Sequence, residues 1–172
     1  MDVFKEQLVK KLPTTKEILM KAGLILATGL IVIAAVVYSP FLGSFALLAI
    51  MAGVGAVYGC IYLYPMLNIE YEYILTNGEM DVDKILGKKK RKRLLTFDVT
   101  KATAFGLYDP ALVANEQFDN SIHACIAPNL KSTYFMTFEH HSLGKCLFLF
   151  NPNDEMLKCV KEALPRTAKT YE

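Results

Sequence analysis

Hydrophobic and polar positions are sorted unevenly along this chain. From Ala22 to Ile69 there is no Asp, Glu, Lys, Arg or His. A helix that crosses a bilayer needs about 20 predominantly apolar residues, so this stretch is long enough for two. The break falls in "VVYSPFLGS", where Pro40 and Gly43 separate two apolar runs. Proline removes a backbone donor and disfavours helix just before itself. The pattern therefore predicts a helical hairpin over residues 15–66, with spans at 15–38 and 41–64. A helix on a soluble core keeps a polar face, and neither run has one. A secretory signal has an apolar region of about 7–15 residues. The first run is longer and a second follows it, so cleavage is not expected.

Before the hairpin, Phe4, Leu8 and Leu12 recur at helical spacing with lysines between them. Residues 1–14 are read as an amphipathic segment, a short helix able to rest on a membrane surface or a frayed terminus. Thr14 followed by Glu17 has the form of a capping box, which starts the first long helix. In the second span Gly55 and Gly59 form G-x-x-x-G beside Ala52 and Ala56. Small residues at that spacing let helix backbones approach closely. Packing on the first span, which offers Gly23, Ala27 and Ala34, is favoured over homodimerisation through the same face.

After the hairpin the period changes from 3.6 to 2. "YEYILTNGEMDVDKI" alternates around Asn77-Gly78, the strongest two-residue hairpin turn. The turn and the alternation agree on one register, which collects Tyr71, Tyr73, Leu75, Met80 and Val82 on a core face. Glu70, Glu72, Asp81 and Asp83 fall on the other. "LLTFDV" and "TAFGLYD" read as two more strands, and residues 121–127, 132–140 and 144–150 as a further three. "PALVANEQFDN" is either a short helix or a loop. "NDEMLKCVKEALP" carries an Asn153 N-cap, early acids, a stripe of Met156, Leu157, Val160 and Leu164, and a terminating Pro165. The expected α+β domain covers residues 67–166, with seven antiparallel strands and a C-terminal helix, and 167–172 form a tail.

Charge adds orientation. Lys5, Lys10, Lys11, Lys16 and Lys21 precede the first span, the connection has no cation, and Lys88, Lys89, Lys90, Arg91, Lys92 and Arg93 follow the second. The positive-inside bias places both termini in the cytoplasm of a two-span protein of the inner membrane. Tyr58, Tyr62 and Tyr64 suit the aromatic belt at the same end. The four cysteines contain no C-x-x-C pair, and reduced thiols fit that compartment.

Seven strands and a closing helix are the order of a pleckstrin-homology-like (PH-like) domain. The stretch "YEYILTNGEMDVDKI", a basic run and "LLTFDVTKATAF" resembles the bacterial PH-like domains. These often follow two membrane spans and open with a tyrosine, "LTN", a second strand and a cation before the third. Tyr73, Leu75, Thr76, Asn77 and Arg93 occupy the matching positions. From about residue 15 onward the layout is similar to a family of small two-span bacterial membrane proteins. That resemblance implies a fold and a binding role, and no chemistry. It also departs from many PH-like lipid binders, which put cations in the first hairpin loop. Here that turn is a minimal Asn77-Gly78, so a phosphoinositide pocket does not carry over.

No catalytic residue, cofactor site or metal site is expected. His140 and His141 are adjacent, and on a strand they point to opposite faces. His123, Cys125 and Cys146 fall short of the four ligands of a structural zinc. Glu72 and Asp83 fall opposite each other, and salt bridges to nearby cations are a simpler role for them than acid–base work. The spans hold no ionisable residue for an ion pathway.

From Glu70 onward there are 14 Lys/Arg and 14 Asp/Glu, so the domain is dipolar rather than basic. Nucleic acid is accordingly excluded as a partner. Two readings of the 88–93 run stay open. It faces anionic lipid, at about 1 kcal/mol per cation, or Glu70, Glu72, Asp81 and Asp83 neutralise it. The functional expectation is a non-enzymatic membrane protein whose cytoplasmic PH-like module binds a protein partner or anionic head groups. The alternative is an accessory or assembly subunit of a larger complex, with the Gly55/Gly59 hairpin packed on partner helices.

Overall fold

A computed structural model describes residues 3–114 and 116–171. The chain divides into two compact units. One comprises Met1–Leu12, Glu70–Ile85 and Arg91–Glu172, the other Pro13–Ile69 and Leu86–Lys90.

The second unit is built on two helices, α1 (Thr15–Tyr38) and α2 (Ala46–Met66). The Thr14 N–H donates to Glu17 Oε2 at 2.9 Å, closing the expected capping box. Two single 3₁₀ turns, Ser39–Phe41 and Gly43–Phe45, connect the helices. Pro40 sits in the first of these turns, and Gly43 has φ +51° at the start of the second. Both helices are long and apolar enough to cross a membrane. Gly53 is the one buried residue of α2, and α1 has none.

The other unit is a β domain of two sheets. The first runs in the order β1 (Phe4–Lys10), β2 (Ile69–Thr76), β3 (Glu79–Leu86), β4 (Lys90–Asp98). The second runs β6 (Asn120–His123), β8 (Gly144–Phe150), β7 (Tyr134–His140), β5 (Ala102–Leu107), β9 (Lys169–Tyr171). α3 (Pro110–Val113) is a single turn, and α4 (Asp154–Ala163) follows β8. Asn153 caps α4 by accepting the Met156 N–H at 2.8 Å. Asn77 (φ 50°) and Gly78 (φ 91°) are both left-handed, as the predicted two-residue turn requires. Tyr71, Tyr73, Leu75, Met80 and Val82 are all buried, so the core face read from alternation is the real one. Phe97 stacks on Phe138 with ring centroids 4.1 Å apart, and Tyr73 meets Phe150 edge-on at 5.8 Å.

Two expectations need correction. The segment before the hairpin is a strand, not an amphipathic helix. β1 pairs antiparallel with β2 from Phe4↔Thr76 to Lys10↔Glu70. Its helical-looking residues Phe4 and Leu8 are exposed, at 61% and 49%. Its alternate residues make the ties. Val9 is buried, Gln7 donates to the Asn151 carbonyl at 2.8 Å and accepts the Asn153 N–H at 2.8 Å, and Lys5 pairs with Glu155 at 2.9 Å. Polar side chains on the inward face hid the period-2 signal. The apolar hairpin is thus inserted in the chain between two paired strands of the domain.

The second correction is the strand count, which among the described residues is nine in two sheets rather than seven antiparallel strands. β1 is one addition. The other is β9, formed by the segment read as a tail, which pairs parallel with β5. β6 also pairs parallel with β8. Pro165 ends α4 as expected, but the chain beyond it returns to a sheet edge.

Candidate functional site

The six cations do not form a loop. Gly87 (φ 58°) and Lys88 (φ 59°) are both left-handed, and the Lys89 N–H donates to the Leu86 carbonyl at 3.1 Å. These are the marks of a second two-residue hairpin turn. A connection that tight holds only one cation, Lys88, so the rest of the run is drawn toward and into β4, which starts at Lys90.

The boundary between the two units cuts the run in half. Lys88, Lys89 and Lys90 belong with the helices. The Gly87 N–H donates to the Asn68 carbonyl at 2.9 Å. A Cβ on Gly87 would lie 2.8 Å from the Pro65 carbonyl oxygen, so a bare backbone is what fits there. Lys89 Nζ sits 5.6 Å from the centre of the Tyr62 ring, within cation–π range. From α1, Lys21 Nζ donates to Asn68 Oδ1 at 2.7 Å and lies 5.8 Å from the Tyr64 ring centre. The turn, the start of α1 and the end of α2 therefore gather Lys21, Lys88, Lys89 and Lys90 beside Tyr62 and Tyr64. Among the described residues neither Lys88, Lys90 nor Lys92 makes an ion pair.

Arg91, Lys92 and Arg93 belong to the β domain, and the two arginines are occupied there. Arg91 makes a two-pronged contact with Glu72, Nη1 to Oε2 at 2.8 Å and Nη2 to Oε1 at 3.1 Å. Arg93 pairs with Asp81 at 2.6 Å and with Asp83, and it also donates to Thr96 Oγ1 at 3.0 Å. Thr96 in turn donates to Asp81 at 2.6 Å. Glu72 is only 2% exposed. Burial pushes its carboxyl above the usual range, and the Arg91 guanidinium works against that rise. Of the four acids expected to neutralise the run, Glu72, Asp81 and Asp83 do so, while Glu70 makes no ion pair with it among the described residues. Neutralisation by the acidic sheet face therefore holds for Arg91 and Arg93, and for none of Lys88, Lys90 and Lys92 among the described residues.

The close approach in the hairpin is at Gly53, where a Cβ would meet Ala35 Cβ at 3.3 Å and Val32 Cα at 3.9 Å. Gly55 and Gly59 have nothing within 4 Å of that position and leave their face open. Lys21 and Asn68 were not singled out as site residues by sequence. Lys21 was legible only as one flanking cation among several, and Asn68 gave no signal.

His140 and His141 have ring centres 4.4 Å apart, and His140 Nδ1 accepts the Ser142 N–H at 3.3 Å. His123 is exposed, whereas Cys125 and Cys146 are buried thiols whose pKa burial pushes up. Among the described residues no group of three metal-ligating side chains is assembled.

Two helices long and apolar enough to cross a membrane, placed in the chain between strands of a two-sheet β domain that carries a terminal helix, define the class of protein. The family model described as Bacterial PH-like domain (DUF6106) matches residues 1–170, and the chain belongs to that family. The match includes β1 and the helices, as expected of a domain with the hairpin inside it. No curated protein and no solved structure matches the chain.

Proposed function

We propose that this is a non-enzymatic, two-span membrane protein, with both termini cytoplasmic, that presents its PH-like domain as a binding module. Its ligands are anionic head groups, at the basic turn, and a protein partner. One observation carries the lipid part. Lys88, Lys89 and Lys90 are held by the Gly87–Asn68 hydrogen bond at the end of an apolar helix, beside Tyr62, Tyr64 and Lys21. Tyrosines and lysines at that level are what an interfacial belt requires. Four cations near an anionic leaflet supply about 4 kcal/mol at about 1 kcal/mol each. The open helix sides support the membrane assignment, because a soluble hairpin would bury one face of each helix.

The chain contains no Trp, so a single Tyr62→Trp reports on the lipid beside the turn. In full-length protein reconstituted into mixed vesicles, brominated phosphatidylglycerol is expected to quench it more than brominated phosphatidylcholine. Changing Lys88, Lys89 and Lys90 together to Gln should remove that preference. Equal quenching of the unaltered turn by the two lipids would overturn the lipid reading.

A second reading, an accessory or assembly subunit, is favoured by the open Gly55/Gly59 face of α2. Small residues there would admit a partner helix at close range.

A further inference from the structure

The second sheet ends on a strand that did not need to be there. β9 pairs parallel with the outer edge of β5 through Ala104↔Lys169, Phe105↔Thr170 and Gly106↔Tyr171. Three pairs make a short ladder, and Lys169 and Thr170 are exposed. What anchors the segment is Tyr171. Its ring lies 5.8 Å from that of Phe135 and packs on the cluster of Ala104, Cys125, Phe135, Leu147 and Leu149. β5 is shaped for this. A Cβ on Gly106 would run into the Tyr171 carbonyl oxygen and lie 2.6 Å from Tyr171 Cβ, and its three nearest atoms all belong to Tyr171. The bare position makes room for the incoming strand.

Beside β9 lies a groove of about 530 Å³, bounded by Phe105, Leu107 and Tyr134 on the sheet and by Leu164 and Pro165 after α4. Its charged lining residues are Lys161 and Arg166, with no acid among them. Neither makes an ion pair among the described residues. An edge strand with free backbone groups is a template for another chain, and strand addition takes its affinity from main-chain bonds and its specificity from side-chain pockets. This edge adds an aromatic pocket at Phe135, a bare Gly106 and a cation-lined groove.

We propose that the outer edge of β5 is a docking site for an extended segment of a partner protein, acidic and carrying an aromatic anchor, and that β9, Lys169–Tyr171, occupies it as an intramolecular stand-in. The proposal rests on the binding-module reading above and names the surface for its protein partner. It shares no residue with the basic turn, so its failure leaves the lipid arm standing, and the reverse also holds. A tethered occupant acts at an effective concentration on the order of millimolar, so the native chain is closed to weak ligands and open to a tighter partner.

The probe is a fluorescein-labelled peptide of residues 166–172 (RTAKTYE), titrated against full-length protein in detergent micelles without added lipid. Tyr171→Ala, which releases the tail, is expected to bind it at least tenfold more tightly than the native chain does. A Lys169→Glu peptide should bind tighter still. Lys161→Gln with Arg166→Gln should weaken it several-fold and flatten its salt dependence. Gly106→Val in the Tyr171→Ala background should abolish it while β5 stays paired with β7. A folded Tyr171→Ala chain that ignores both peptides would overturn the proposal. Should that variant not fold, hydrogen exchange on the native chain decides. Millimolar Lys169→Glu peptide must speed exchange at the protein's own Lys169–Tyr171 amides, and unchanged exchange counts against docking at this edge.

Discussion

Gly87 faces the carbonyl oxygen of Pro65 so closely that a methyl group on it would lie 2.8 Å from that atom. The glycine is also left-handed, at φ 58°. Gly87→Ala therefore combines a backbone clash with an unfavourable conformation, which by itself costs about 1–2 kcal/mol. Gly78→Ala, at φ 91°, meets only the Thr100 methyl at 3.2 Å, a side-chain atom able to shift. Thermal unfolding should show the larger loss at Gly87. The Tyr62→Trp reporter should lose its anionic-lipid preference in the Gly87 variant and keep it in the Gly78 variant.

Glu72 makes stability pH-dependent in a direction opposite to that of most carboxylates. Burial raises its pKa above the ordinary 4.5. Between the unfolded and folded values the native state holds the proton better, so stability from this group falls as pH rises through that window and stays lower above it. Glu72→Gln carries no such cost. Urea unfolding should find it more stable than the parent at neutral pH, with the advantage fading toward pH 4.5. Arg91→Gln has the opposite sign at neutral pH. It leaves Glu72 charged and without its partner, at a cost of about 1–2 kcal/mol, and the penalty shrinks on acidification as Glu72 takes up a proton.

Asn151 is the polar centre of the β domain. Its Oδ1 accepts the Ile126 N–H at 2.7 Å, and its Nδ2 donates to the Ser132 carbonyl at 2.9 Å and to Thr133 Oγ1 at 3.0 Å. Asn151→Ala orphans several buried groups at about 1–3 kcal/mol each, so a loss of 3 kcal/mol or more is roughly what that arithmetic gives. Tyr73→Phe removes the donor to the Ala124 carbonyl and a long acceptor contact with the Asn151 N–H at 3.4 Å, and should cost roughly 1–2 kcal/mol. A Tyr73→Phe loss equal to that of Asn151→Ala in denaturant titrations would contradict this ranking.

The glycines of α2 separate two kinds of helix contact. Gly53→Leu must push Ala35 away and should loosen the hairpin, seen as lower disulfide cross-linking between cysteines placed on α1 and α2. Gly55→Leu and Gly59→Leu meet open space and should leave that cross-linking unchanged. If the accessory-subunit reading holds, the same two changes abolish co-purification of a partner. An unchanged pull-down removes the support for that reading.

Local signals carried much of the fold. An uncharged stretch with Pro40 and Gly43 in its middle is enough to place two helices, and α1 begins and ends where the pattern says. Asn77-Gly78 with alternating neighbours is enough to set the β2–β3 face, since a one-residue slip would expose Tyr73 and Leu75. The Asn153 cap and Pro165 bound α4 for equally local reasons. The misread elements lack such signals. In β1 the inward positions are Lys5, Gln7 and Val9, and only the partner Glu155 and the backbone around Asn151 explain why two of them are polar. In β9 the letters Lys-Thr-Tyr carry no period at all, and the bare Gly106 that receives them lies 65 residues earlier.

The six cations show where the division falls. Their number, order and distance from the apolar run are properties of the sequence. Gly87 before them is a local reason for a tight turn. Which cations are neutralised is a different matter, because an ion pair depends on distance across strands rather than along the chain. Glu72 reaches Arg91 across 19 positions, while Asp81 and Asp83 reach Arg93 across 12 and 10. Lys88 and Lys90 are cations like either arginine, and among the described residues they have no acid as an ion-pair partner. Pairing across the sheet, together with the Asn68 and Pro65 backbone that holds Gly87, decides that the two arginines are used inside the domain while Lys88, Lys90 and Lys92 make no ion pair among the described residues.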